Sequence, residues 1–292
     1  MTPLRQRMIE DMQLRNLSPQ TQRSYLQYIS LLSRHFHKSP DRLGPAEIRD
    51  YQLYLTQKKH LAPSSLGVAV AAIRFFYNTT LSRGWDVDDL IPTGRRPQTL
   101  PVVMSPAEVA EFLAAVENLK VRVILTICYA AGLRVSEAVA LKPDAIDSKR
   151  MVIRVEQGKG RKDRYVMLSP KLLDLLRDYW RTVRPKQWLF PGDVPGQPIT
   201  DAAVRQTCQQ VRRQRTLTKP VTPHALRHAF AVHLLEAGTD LRTIQLLLGH
   251  RSLNTTAKYL RLATNKVCAT ASPLDILQPA ALLTAEGVPA PA

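Results

Sequence analysis

Cysteine is nearly absent from this chain, and its three examples, Cys128, Cys208 and Cys268, lie far apart. That number and spacing form neither a disulfide framework nor a zinc-ligand pattern. Cys128, inside the apolar run VILTICYAAGL, is read as a core residue. Also missing is any apolar stretch of the roughly 18 residues that a membrane-spanning helix needs. The first residues, MTPLRQRMIEDMQLRN, are mixed in charge and lack the apolar segment of a secretory signal, so a cytoplasmic protein is expected. There is no Walker-type phosphate loop, no His-Glu-x-x-His zinc motif and no evident carboxylate cluster for two metal ions.

Acid is the other scarcity. The chain carries 24 Asp and Glu against 41 Lys and Arg, a net charge of +17. Such an excess suits a polyanionic partner, because each phosphate a cation neutralises releases condensed counterions. Nucleic acid is the expectation, with a basic ribosome-associated factor as the plain alternative. At 292 residues there is room for two modest domains.

What is present divides accordingly. The first 92 residues read as a small helical bundle, with starts at Ser18-Pro19, Pro45 and Pro63. Apolar positions recur at helical spacing in each: Tyr25, Tyr28, Ile29 and Leu32; Ile48, Tyr51 and Leu55; Val70, Ile73, Phe76 and Tyr77. Residues 93–101, TGRRPQTLP, have little to bury and read as a linker, with Arg95 and Arg96 placed to meet phosphate. A second domain, 102–268, opens at Ser105-Pro106 with Glu108 in the first turn. It runs through a buried helix (Val121 to Leu133), two strands (MVIRVEQ and RYVML) joined by QGKGRKD, and a helix after Pro170. Helical segments from Thr222, Asp240 and about Leu253 complete it. The tail, 269–292, holds no lysine or arginine. It reads as a flexible end or as a helix that docks on a neighbouring subunit through Leu274, Ile276 and Leu277.

Five features in this domain can carry chemistry. Arg134 follows Gly132 in AGLRVSEAVAL, with Glu137 one turn on. That pair is either a structural ion pair or an arginine oriented toward phosphate. Lys159 stands between two glycines at the hairpin tip, crowded by Arg161, Lys162 and Arg164; an exposed basic turn would look the same. Thr222-Pro223 sets His224 near a helix N-terminus with Arg227 three residues on, an anion site or a solvated surface pair. His224 and His228 have metal-ligand spacing but lack the acidic partner of a zinc hydrolase. His250 follows Gly249 at a helix end, and Tyr259 comes nine residues later, where a half-buried core tyrosine is the ordinary reading.

Taken in order, Arg134, Lys159, His224, Arg227, His250 and Tyr259 resemble the tyrosine recombinase family, in the pattern of Xer-type recombinases and phage integrases. The His–Arg, Arg–His and His–Tyr separations are 3, 23 and 9. The resemblance covers nearly the whole chain except the tail. It implies a mainly α fold with a small β-sheet: a SAM-like helical core-binding domain followed by an α+β catalytic domain. It further implies that Tyr259 attacks a phosphodiester to give a 3′-phosphotyrosine, and that Lys159 protonates the departing 5′ oxygen. Arg134, Arg227, His224 and His250 would stabilise the added charge, with Glu137 orienting Arg134. Arg95, Arg96, Arg161, Lys162 and Arg164 are expected at DNA. The partner implied is double-stranded DNA, met as a homotetramer on paired sites, with no cofactor. Three rivals share some of these features: a type IB topoisomerase, a noncatalytic DNA-binding protein on the same fold, and a basic RNA-binding factor.

Overall fold

Several helices begin on a proline behind a hydroxyl cap. Pro3 and Pro19 open α1 (Pro3–Leu14) and α2 (Pro19–Phe36), where Thr2 and Ser18 oxygens accept from the backbone N–H of Arg5 and Thr21. A proline there forfeits no helical hydrogen bond, and its fixed φ suits the first turn. Helices α3 (Pro45–Leu53) and α4 (Pro63–Phe75) also start on a proline, but behind Gly44 and Ala62, and each runs on into a wider π turn. The apolar stripes converge on one core that buries Leu32, Ile48, Tyr51, Ile73 and Tyr77. The computed structural model describes residues 2–85, 102–156, 163–215 and 219–262. It divides into two compact units, Met1–Thr99 and Leu100–Ala292.

The second unit opens with a capping box. Ser105 Oγ accepts from Glu108 N at 3.2 Å, and Glu108 returns the bond to Ser105 N at 2.7 Å, starting α5 (Pro106–Ala115). The buried helix α6 (Leu119–Ala130) stops three residues before the expected Leu133, because Gly132 turns left-handed at φ 64. A short α7 (Val135–Val139) leads to an antiparallel sheet of β1 (Ile146–Asp147), β2 (Val152–Val155) and β3 (Arg164–Met167), in that order. The two expected strands are present, paired from Val152↔Met167 to Val155↔Arg164. The two-residue β1 was not anticipated. Helices α8 (Pro170–Val183), α9 (Asp201–Gln214), α10 (Pro223–Glu236), α11 (Leu241–Leu248) and α12 (Leu253–Ala257) follow, and a 3₁₀ turn, Lys258–Arg261, ends the described chain.

Helix α10 is the axis of this unit. Leu226, Ala229, Phe230, Val232 and Leu235 bury it on nearly every side, as befits an internal helix. It packs against α6, α11 and the 3₁₀ turn, so residues on its first two turns lie where those elements end. The fold is thus mainly α with one small sheet, the class expected from the sequence. Among the described residues no helix is long and apolar enough to cross a membrane. The linker 93–101 and the tail lie outside the described residues.

Candidate active site

One buried carboxylate organises the cationic side of the site. Glu137, with its side chain 7% exposed, sits at the third position of α7 and accepts from the Arg134 backbone N–H at 2.9 Å. It also accepts from Arg134 Nη1 at 2.7 Å and takes both ends of Arg164, Nη1 at 2.9 Å and Nη2 at 2.8 Å. Arg227 Nη1 lies 3.7 Å from the same carboxylate. Burial opposes the charge on Glu137, but the hydrogen bonds and charge of Arg164, with those of Arg134, outweigh it and hold the carboxyl at about 2.

Arg227 is fully buried, yet its fork is occupied by helix ends. Nη1 donates to the Gly132 carbonyl beyond α6, and Nη2 donates to the Leu248 carbonyl at 2.6 Å, where α11 ends. The Leu248 carbonyl, the last of α11, lacks a helical partner and carries the negative end of that helix dipole, so one guanidinium satisfies it and the Gly132 carbonyl at once. Gly132 is needed here: a Cβ would drive into the Phe230 ring, and its φ is positive. Gly249, at φ 60, closes α11 so that the chain turns directly into His250.

Arg164 corrects an expectation. It was placed at DNA with the other loop cations, but its side chain is 12% exposed and each of its three guanidinium nitrogens donates inward, Nε to the Leu247 carbonyl at 3.1 Å. The reason is strand periodicity. Arg164 shares a face of β3 with buried Val166, while Tyr165 and Met167 point out. Arg164 is therefore structural wiring behind Arg134 and Arg227.

The other side of the site is built from rings. Tyr259, 1% exposed, places its hydroxyl 2.9 Å from His228 Nδ1. His228 meets the ring of His224 at 4.1 Å between centroids, and the His250 ring lies nearly parallel to Tyr259 at 6.4 Å. Thr256 Oγ1 holds His250 Nδ1 at 2.9 Å, while His250 Nε2 is 3.4 Å from Arg227 Nη2. Burial raises the Tyr259 phenol to about 12 despite the opposing charges of Arg227 and Arg134. Burial, then His224, Lys258 and Arg227, bring the His228 imidazole down to about 3. The more exposed His224 is also lowered, by desolvation first and then by Lys258 and Arg227.

The structure therefore joins five of the six motif residues into one continuous path. It runs Arg134, Glu137, Arg227, His250, Tyr259, His228, His224, each step a hydrogen bond, an ion pair or a ring contact. The sixth, Lys159, lies outside the described residues, as do Arg95, Arg96, Arg161 and Lys162.

The phage integrase family model matches residues 102–266, and the model for the N-terminal SAM-like domain of phage integrases matches residues 4–87. The chain belongs to the phage integrase family. A Sinorhizobium fredii protein that carries an integrase/recombinase name is 65% identical over 277 residues, 95% of this chain and 90% of that protein. The tyrosine recombinase XerD of Lacticaseibacillus casei is 32% identical over 272 residues, 87% of this chain and 92% of its own length. Among solved structures, the XerH site-specific recombinase bound to palindromic difH substrate, a post-cleavage complex, superposes with a TM-score of 0.68. Identity there is 20%, over 88% of this chain and 80% of that one. The tyrosine recombinase resemblance read from the motifs is thereby established.

Within this integrase-family fold, sequence reasoning passed over two residues that the geometry brings forward. His228 was noticed only for its spacing from His224, and its closest polar partner is Tyr259 instead. Thr256, three residues before the tyrosine and fully buried, gave no signal beyond that spacing.

Proposed function

We propose that this chain is a site-specific DNA recombinase that cleaves and rejoins strands through a phosphotyrosine at Tyr259. The observation that carries the reading is the single path from Arg134 to Tyr259 through Glu137, Arg227 and His250. In the reaction a bond forms between the Tyr259 oxygen and phosphorus as the bond from phosphorus to the 5′ oxygen breaks. The tyrosine proton passes to solvent, and Lys159 gives one to the departing 5′ oxygen, which leaves as a hydroxyl. The energy of the broken ester is kept in the 3′-phosphotyrosine, so a 5′ hydroxyl from a partner strand reverses the step.

The transition state gathers charge on the nonbridging oxygens, and fixed donors aimed there are worth more than mobile ones. Glu137 and the two helix-end carbonyls supply that fixity, holding Arg134 and Arg227 before substrate arrives. His224 and His250 add donors at the rim. Arg95, Arg96, Arg161 and Lys162 are assigned to DNA contacts, together with the +17 charge, and much of the affinity should come from phosphates and fall steeply with salt. We assign the working form as a homotetramer on two duplex sites, acting in the cytoplasm. The domain limits assigned to this work are 1–92 for core binding, 93–101 for the linker and 102–268 for catalysis.

The test is a nicked suicide duplex made from DNA flanking the gene, run with wild type and Tyr259→Phe on denaturing gels. A denaturant-resistant adduct, linked through the 3′ phosphate and lost in the variant, is expected. An adduct that persists in Tyr259→Phe would assign the attack to another nucleophile.

A further inference from the structure

His228 sits on the second turn of α10, 8% exposed, and meets the 3₁₀ turn that carries Tyr259. The tyrosine oxygen is 2.9 Å from its Nδ1, and the ring is enclosed by His228 at 5.5 Å and His250 at 6.4 Å. A phenol buried to 1% exposure with its hydroxyl on an inward imidazole is not presented to an external phosphodiester. We propose that His228 is a positioning residue that docks the Tyr259 hydroxyl inward, and that release of this hydrogen bond precedes attack. The inference rests on the reading of Tyr259 as the nucleophile.

The proton decides between docking and general-base catalysis. With the phenol at about 12 and the imidazole at about 3, the proton stays on oxygen in this geometry. The charges and rings facing His228 keep it neutral: His224 and Arg227 on its own helix, Lys258 beside Tyr259, and His250. A neutral ring can accept from the hydroxyl but gains nothing by taking its proton. His228 is therefore a latch on the nucleophile, and the arginine side of the site can be complete while the tyrosine is withheld.

The test uses the full chain without DNA. N-acetylimidazole acetylates accessible tyrosine hydroxyls, and the rate at Tyr259 is read by peptide mass spectrometry. His228→Phe keeps a flat ring and removes the acceptor; His228→Asn offers an acceptor where Nδ1 stands. Acetylation should rise roughly three- to tenfold in the Phe variant, the worth of one hydrogen bond, and return toward wild type in the Asn variant. Unchanged acetylation in the Phe variant, or equal acetylation in both, overturns the latch. A second measurement does not disturb α10. In Tyr259→Phe the ¹⁵N resonance of His228 Nδ1 should move as its partner is lost, and an unmoved resonance overturns the proposal too. These readouts are independent of DNA cleavage, so a covalent adduct persisting in Tyr259→Phe would remove the nucleophile reading without altering them.

Discussion

The two sides of the site are held by opposite means. On one side three arginines, Arg134, Arg164 and Arg227, share the carboxylate of Glu137 and three helix-end carbonyls, those of Gly132, Leu247 and Leu248. On the other, Tyr259 and three histidines are linked by single hydrogen bonds and ring contacts. Charge that must stabilise a transition state has to be in place beforehand, or the gain is spent on reorganisation. Under the proposed mechanism Tyr259 must reach phosphorus, and so it has to be free to move. The cationic side is therefore built like a core, and the tyrosine side like a catch.

The largest effect expected from that contrast is at Glu137. Glu137→Gln leaves Arg164 and Arg227, whose side chains are 12% and 2% exposed, without their counter-charge. Breaking a buried ion pair from one side costs on the order of 3–5 kcal/mol. The pH dependence has a definite sign. The folded carboxyl is held at about 2, below its ordinary value of 4.5. Its contribution is thus complete above the unfolded value and is lost as pH falls from there toward 2. Urea unfolding at pH 7 and at several acid pH values should show wild type losing this increment and Glu137→Gln lacking it. A cost below about 1 kcal/mol, the scale of an exposed ion pair, would mean the arginines are held by their carbonyls alone.

Arg227→Lys comes next and asks whether geometry matters beyond charge. Lysine keeps the charge but has no planar fork to span the Gly132 and Leu248 carbonyls. Single-turnover cleavage should fall on the order of 10²–10³-fold, by analogy with the loss of one oxyanion donor, while DNA affinity changes far less. Equal losses in rate and affinity would demote Arg227 to a binding residue, and the preorganised side of the comparison with it.

How far the sequence announced this contrast depends on how local each cause is. Starts such as Ser18-Pro19, Ser105-Pro106 and Thr222-Pro223 were legible because cap and proline act within one turn. The stripe of Leu172, Leu173, Leu176 and Tyr179 on α8 was legible for the same reason. Strand β1 was not, since two residues, Ile146 and Asp147, are a strand only by virtue of pairing with β2. At Glu137 the ion pair with Arg134 is present, and the same carboxylate also takes both ends of Arg164, a partner 27 residues away. Arg164 was misplaced because the cluster of loop cations drew more notice than its alternation with Val166. The His228–Tyr259 bond spans 31 residues, a separation that no local pattern encodes.

The smallest effect expected tests whether the tyrosine side is one unit or two. Thr256 is fully buried, and its hydroxyl meets His250 Nδ1 at 2.9 Å. Thr256→Val keeps the shape and removes that bond, at a cost of about 1 kcal/mol in stability and roughly tenfold in cleavage if His250 then loses its ring orientation. Calorimetry and single-turnover assays measure the two. Acetylation of Tyr259 should stay at the wild-type rate, because the His228 bond is untouched. If Thr256→Val instead exposes Tyr259 as much as His228→Phe does, the two histidines form a single cage around the nucleophile. The catch would then be a cooperative packing unit, closer in kind to the arginine side than the single hydrogen bond implies.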